Sequence, residues 1–376
     1  MSAAPEPGLA RAITTRALAA NVVNMIVGSG IFVLPAAVAG LLGPAAVVAY
    51  AVCALIVALI GLCFAECGSR VAVSGGPYAY IEAAFGPYAG VLAGALAYLS
   101  NVVGSAAVAN VLLAALAGFW PVLAEPVPRA VAFVALYVLL AGMNLRGVAA
   151  GARFVEFVTL AKLLPLVLLA ILGVAHADAA NFAGWQWPSA AELGAATLLL
   201  AFAFLGIEAA LQPSGEVRDP ARTVPRAIAI GLLAVAGLYG ALQFAAQGVL
   251  GTALATEDEP LAALAIALVG TPGGTLVVIA AAISTFGYVV SDMLGSPRVA
   301  YALARDGALP AALARVHPAT RAPGNAIVAH ATVACALAIA AGFEALALVT
   351  VVATLLLYVG SALATLQLRR RDVRLE

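Results

Sequence analysis

One lysine, three histidines and four cysteines are all that 376 residues hold of these chemically versatile side chains. Acidic and basic residues together make up 10% of the chain, where an ordinary soluble domain carries about a quarter. That shortage excludes a water-soluble globular domain, and no nucleic-acid partner is expected. Cys53, Cys63, Cys67 and Cys335 all lie in or at the ends of apolar stretches and read as small buried residues. Cys63 and Cys67 are one helical turn apart, but beyond nearby Glu66 nothing completes a ligand set, so no metal site is expected. His176 reads as an outer-loop residue, His330 as a segment-edge residue and His317 as part of a cytoplasmic loop, none with a catalytic role. H-E-x-x-H, G-x-S-x-G and Walker motifs are all missing. An enzymatic reading has little to stand on, and no cofactor is expected.

What the chain has in abundance is hydrophobicity: 64% of its residues, with a mean hydropathy of +1.09. This is the composition of an integral membrane protein. The opening "MSAAPEPGLARAITTR" is a short polar tail, and the apolar run after it is longer than a signal-peptide core and lacks a small-residue cleavage site, so it reads as a spanning segment. At about 20 apolar residues per crossing, ten segments are expected, at roughly 16–41, 45–66, 87–118, 127–144, 154–174, 191–210, 226–250, 273–303, 325–342 and 345–367. The loops carry nearly every charge, and their signs alternate. Arg11, Arg16, Arg70, Arg146, Arg153, Arg218, Arg222, Arg226, Arg298, Arg305, Arg315, Arg321, Arg369, Arg370, Arg371 and Arg374 fall on one side of a ten-crossing arrangement. The other side receives Arg129 and the acidic "EDE" of 257–259. By the positive-inside rule both termini are cytoplasmic, in a cell membrane, plasma or bacterial inner. The one cation left over is Lys162.

Two segments are interrupted where an unbroken helix would be expected. Residues 24–35 read "NMIVGSGIFVLP", with Gly-Ser-Gly at the centre of a crossing. Glycine costs a helix interior about 1 kcal/mol relative to alanine, and in lipid the freed backbone groups would find no water. The sixth segment, "ATLLLAFAFLGIEAALQPSGEV", has Gly206 at mid-depth, Glu208 just beyond, and Pro213 and Gly215 following. A carboxylate there costs a few kcal/mol, so it should face a cavity or a partner rather than lipid. A lone glycine in a spanning helix is usually a packing residue, as Gly90 and Gly94 in "GVLAG" read. Here, however, the breaks fall in the first helix of each five-helix half, the pattern that marks an inverted-repeat transporter with its site at the repeat interface.

These residues resemble the amino acid-polyamine-organocation (APC) superfamily of permeases, over most of the chain. "VGSGIFVLP" is similar to the family's first-helix motif and "SGGPYAYIEAAFGPYAG" (74–90) to its loop between helices two and three. "FAFLGIEAALQPSGEVRDPARTVPRAI" (202–228) is similar to the sixth helix and its cytoplasmic exit. "GSPRVAYALARDGALPAALARVHPATRAP" (295–323) resembles the end of helix eight and the loop after it. The resemblance implies an all-α integral membrane protein of the leucine-transporter-like fold, a single domain of two inverted five-helix repeats (about 16–174 and 191–367) with helices one and six broken and short cytoplasmic tails at 1–15 and 368–376. Most members have twelve crossings and ten are read here, ending at "LQLRRRDVRLE". The repeat pair is complete, whereas the dimer contact that relatives make through their last two helices is not expected.

The breaks themselves suggest how a substrate is held. Unwinding over 28–30 leaves N–H groups at Ser29, Gly30 and Ile31 facing a positive dipole end, an anion cradle. Free carbonyls are expected near Ile26 and, in the sixth segment, at Phe202, Ala203 and Leu205, as acceptors for an ammonium group. Opposite polar ends a few ångströms apart fit a zwitterionic α-amino acid, and glycines at 28, 30 and 206 keep Cβ atoms out of its way. Phe202 and Phe204 flank the second break; the resemblance places Phe202 where relatives carry an aromatic gate, the alternative for either being core or lipid packing. Asn101 on the third helix matches a family position that reaches the substrate, the alternative being an interhelical hydrogen bond. Lys162 is a cation that can lose its proton, as arginine in practice cannot. By resemblance it replaces the sodium ion of sodium-coupled relatives, between the first helix's broken backbone and Ser284 and Thr285 of the eighth; the alternative is a snorkelling lysine. With Glu208, these form the coupling set.

The function expected is secondary active transport of an amino acid or related amine by alternating access, with protons as a coupling partner through Lys162. The alternatives are exchange without proton coupling, Lys162 then being a fixed tether, and a non-transporting amino acid-binding membrane protein. Rings of acidic or carbonyl groups that would line a channel are lacking. The partners are a small-molecule substrate and the lipid bilayer, and the oligomeric state is left open.

Overall fold

The structure, a computed structural model, describes residues 13–71, 76–145, 151–211, 217–316 and 322–371, with the backbone alone over 151–161. Arg11, Arg146, Pro213, Gly215, His317, Arg321, Arg374 and the outer parts of both tails lie outside the described residues, as does the side chain of Arg153. Among the described residues every regular element is helical, apart from one isolated parallel bridge that pairs Ile13 with Val217.

The helices are α1 (Thr15–Ile26), α2 (Gly30–Leu42), α3 (Ala46–Arg70), α4 (Pro77–Phe85), α5 (Pro87–Ala117), α6 (Pro126–Leu145), α7 (Gly151–Ala175), α8 (Ala190–Phe204), α9 (Ile207–Ala210), α10 (Pro220–Leu250), α11 (Pro260–Val269), α12 (Thr271–Arg305), α13 (Gly324–Ala340) and α14 (Phe343–Arg370). Each of the ten expected segments coincides with one helix or with a broken pair: α1 with α2, and α8 with α9. By length and composition alone, seven stretches among the described residues are long and apolar enough to cross a membrane, and Lys162–Ala175, Pro260–Val269 and Gly324–Ala340 are shorter apolar helices. Two helices were not anticipated. α4 lies in a stretch read as a loop, and α11, at 10 residues, is too short to count as a crossing.

Local chemistry fixes many of the starts. The Thr14 hydroxyl accepts the Ala17 N–H at the head of α1, and Ser189 with Glu192 forms a reciprocal capping box at the head of α8. Proline opens α5, α10 and α11, where its missing N–H costs nothing. The faces turned outward are apolar: Leu55, Leu59 and Leu62 on α3, and Val131, Val134 and Val138 on α6, stand exposed at helical spacing. Lipid is the solvent such stripes require.

The chain divides into two compact units that interleave along the sequence. One takes residues 1–80, 161–281 and 361–376, the other 81–160 and 282–360. In the first, α10 packs along α1 and α3, while α8 packs on α2 and α3. Small residues allow the close approach: a Cβ at Gly231 would stand 2.5 Å from Val22, and one at Gly61 would stand 2.6 Å from Leu232. In the second unit, α13 packs on α5 and α6. There the amide of Asn110 donates to the carbonyls of Ala106, Ala338 and Ala341, and Arg129 Nη2 donates to the Asn110 carbonyl at 3.2 Å and to its Oδ1 at 3.1 Å. The guanidinium also lies 5.7 Å from the Phe133 ring centroid. Arg129, the basic exception to the charge asymmetry, is thus consumed by internal bonds.

Candidate functional site

α1 stops because Val27 leaves the helical region (φ −73°, ψ 82°), so the Gly28 N–H reaches back only to the Ile26 carbonyl, at 2.8 Å, in an inverse γ-turn. α2 then starts afresh at Gly30 with Ser29 as its N-cap. Among the described residues the N–H groups of Ser29, Gly30 and Ile31 have no backbone acceptor, and the first N–H of this turn to find one is that of Phe32, bonded to the Ser29 carbonyl at 3.1 Å. The Ser29 hydroxyl makes no capping bond; it is buried, at 1% exposure, with no partner among the described residues. Four donors therefore converge on one helix start, where the dipole favours an anion.

The carbonyl end of α1 is arranged differently from the expectation. Lys162 Nζ, on α7, donates to the Asn24 and Val27 carbonyls, each at 2.7 Å, and the residue is 2% exposed. Its amine sits where the helix dipole is negative. This is a lysine drawn into the protein, not one snorkelling to an interface. The Ile26 carbonyl, expected to be free for a substrate ammonium, is occupied: it accepts the Gly28 N–H and, at 3.1 Å, the hydroxyl of Tyr239 on α10. With both lone pairs engaged it offers nothing further. The Asn21 amide, at 3.1 Å from the Ala210 carbonyl, ties the same half-helix to the end of α9.

The second break is at Leu205 and Gly206. Leu205 is extended (φ −70°, ψ 158°) and Gly206 adopts φ 120°, a conformation in which a side chain is strained. Glu208 turns back onto this break, its Oε2 accepting the Gly206 N–H at 3.1 Å. The Phe202 carbonyl accepts the Leu205 N–H at a long 3.4 Å, while those of Ala203 and Leu205 accept no backbone N–H among the described residues. They are the acceptors left at this site.

The two breaks meet backbone to backbone. A Cβ at Gly206 would fall 2.5 Å from the Met25 carbonyl oxygen, and a Cβ at Gly30 would fall 2.7 Å from the Ala203 Cα. Gly30 is therefore a contact glycine between α2 and α8. Its side-chain direction meets Ala203 and does not open on the cradle, contrary to the expectation from sequence. Beside Gly28 the space is open, the nearest atom to an added Cβ being the Ile26 oxygen at 3.9 Å. Phe204 is also corrected: it is buried, with its ring edge-on to Tyr239 at 5.2 Å between centroids, so it supports the residue that holds Ile26 and does not flank an open substrate space. Phe202 is half-buried and Ile31 fully buried.

The remaining expected residues belong to the second unit. Asn101, on α5, is half-buried, and its side chain makes no hydrogen bond among the described residues, so the interhelical bond offered as its alternative is not formed there. Ser284 and Thr285 on α12 are fully buried, and the Thr285 hydroxyl donates to the Ala282 carbonyl at 3.1 Å. Tyr239 was missed. Its signal was a hydroxyl inside the apolar run "GLYGALQF", which must find a partner when buried. His330, read as a segment-edge residue, is fully enclosed within α13.

Apolar outward faces and two helices broken against each other define a multi-pass membrane transporter, and comparison with known proteins gives the kind. The chain matches the amino acid permease family over residues 13–376. It is 28% identical over 361 residues to the serine/threonine exchanger SteT of Bacillus subtilis (strain 168), covering 93% of this chain and 81% of that one. It is 27% identical to the methylthioribose transporter of the same organism, over 84% of this chain and 72% of that one. It is 32% identical over 273 residues to the cadaverine/lysine antiporter of Escherichia coli (strain K12), over 68% of this chain and 58% of the relative. The chain belongs to the amino acid permease family, within the APC superfamily, and is an amino acid transporter.

Proposed function

We propose that the protein exchanges amino acids across a cell membrane by alternating access, the substrate's α-carboxylate lying at the head of α2. The observation that carries this reading is the buried, partnerless Ser29 hydroxyl beside three N–H groups without backbone acceptors. A carboxylate satisfies all four at once, and few other groups of that size do. The ammonium group is assigned to the Ala203 and Leu205 carbonyls, with Gly28 and Gly206 leaving the backbone open to approach and Phe202 beside them. Lys162 acts as a tether that keeps α1 ended at Val27; its two short bonds to backbone carbonyls support that role over a proton carrier. Two relatives whose names denote exchange point the same way.

In this reading the chain is one transporter domain of two five-segment repeats, about 16–174 and 191–367, with both termini cytoplasmic. Counterflow into proteoliposomes tests it. Vesicles loaded with one unlabelled amino acid should accumulate the same labelled amino acid without any ion gradient, and empty vesicles should not. Equal accumulation by empty and loaded vesicles would refute exchange. Binding without any flux would reduce the protein to an amino acid-binding membrane protein.

A further inference from the structure

The second unit contains a buried ionisable cluster that the transport reading does not use. Asp292 on α12 is 6% exposed and His330 on α13 is fully buried. The His330 Nε2 lies 2.8 Å from the Asp292 Oδ2, and the hydroxyl of Ser296, one turn along α12, donates to the other carboxylate oxygen. The edge of the Tyr98 ring, from α5, covers the imidazole with centroids 5.6 Å apart. The other titratable groups close to the pair among the described residues are the hydroxyls of Tyr98 on α5 and Tyr137 on α6, with the Cys335 thiol of α13 near Tyr137. Among the described residues His330 is the sole ion-pair partner of Asp292.

The charge balance of this cluster is what gives it a function. With a neutral imidazole donating from Nε2 to an ionised carboxylate, the cluster carries one uncompensated negative charge inside the protein, which low dielectric makes costly. One added proton removes that charge. It has two places to go. On His330 it occupies Nδ1, which has no hydrogen-bond partner among the described residues, so a buried N–H donor would be left unmatched. On Asp292 it occupies the oxygen facing Ser296, whose hydroxyl can accept it after rotating. Protonation of Asp292 is therefore the placement that removes the charge and keeps a hydrogen-bond partner, and the cluster has two forms that differ by that one proton. A packing role would be served as well by an apolar pair, and ionisable groups inside membrane helices are retained for function.

We propose that Asp292 and His330 form a proton-binding site whose occupancy sets the pH dependence of transport, separately from Lys162. The ligand is a single proton, taken up as a charged pair becomes neutral. Because both residues are buried, the proton exchanges only when α12 and α13 part, which links its uptake to a conformational step.

The test uses the full chain in nanodiscs. With only three histidines, His176, His317 and His330, the ring signals can be assigned by removing them one at a time, and His330→Gln identifies the one of interest. The imidazole nitrogen and carbon shifts of His330 should change with pH within the range over which the protein stays folded, and the change should be displaced in Asp292→Asn, which keeps the shape and removes the charge. Counterflow rates at equal internal and external pH should follow the same profile and shift with it in the variant. Substrate binding measured at one fixed pH by thermal shift reports on the α2 cradle alone, so failure of the transport reading is seen independently. A His330 signal constant over the whole range, a titration unaltered in Asp292→Asn, or a transport profile that ignores a shifted titration would each overturn the proposal.

Discussion

The hydroxyl of Tyr239 donates to the carbonyl of Ile26 at 3.1 Å, across 213 positions of sequence. Together with the two bonds from Lys162 it means that α1 ends on acceptors already filled by the protein. The break in the first helix is therefore asymmetric: its carbonyl side is closed by side chains, and its amide side, at α2, is left for a ligand. Tyr239→Phe should lower stability by about 1 kcal/mol, the net value of a buried neutral hydrogen bond, and weaken substrate binding by letting the end of α1 drift. Thermal unfolding and isothermal titration on the purified variant measure both. Unchanged values would mean that the bond only accompanies the break.

The glycines of the first break separate stability from binding. Gly30→Ala puts a methyl group against the backbone of Ala203, an overlap that a shift of α2 from α8 must relieve, at about 1–3 kcal/mol of stability. Gly28→Ala has room for its methyl group and should fold normally, yet bind substrate at least about tenfold more weakly, a loss of about 1.4 kcal/mol. If Gly30→Ala were harmless to stability and Gly28→Ala harmless to binding, the assignment of the two glycines would be reversed.

Lys162→Ala removes a cation and strands two buried carbonyls, at a cost of roughly 2–3 kcal/mol. Lys162→Met, which fills the space without the donors, should lose nearly as much. Under the tether reading, an imposed proton gradient drives no net accumulation by the wild type. Uptake by sealed vesicles that rises with an inward proton gradient, and loses that response in Lys162→Met, would restore the lysine as a proton carrier.

Both breaks were legible in the sequence, because glycine at the centre of an apolar segment needs a reason and two such segments occupied matching places. Their occupants were less so. Lys162 stood out as the chain's one lysine, but Tyr239 is an ordinary aromatic until α10 is laid along α1, which no local pattern specifies. Gly30 was misassigned for the same reason: the sequence marks where a side chain is intolerable and not which neighbour forbids it. α4 and α11 escaped notice because short helices lack the length that identifies a crossing. His330 looked peripheral only because its distance from Asp292 in sequence hides their contact.

Orientation is open to chemistry. Single cysteines introduced at Glu257 or Asp178 should react with an impermeant maleimide added to intact cells, and cysteines at Arg222 or Arg315 should not, once the four native cysteines have been replaced. The reverse pattern would invert the proposed topology.

The central claim, that a carboxylate sits at the head of α2, is tested most directly by pairing ligands that differ in that group alone. Purified protein is screened by thermal shift against the twenty amino acids, and each one that stabilises is compared with its decarboxylated amine. A ligand that binds only the folded state raises the melting temperature. The account predicts stabilisation by the amino acid, little or none by the matched amine, and a clearly smaller effect of the amino acid on Ser29→Ala. Equal stabilisation by amine and amino acid, or a full response in Ser29→Ala, would contradict it.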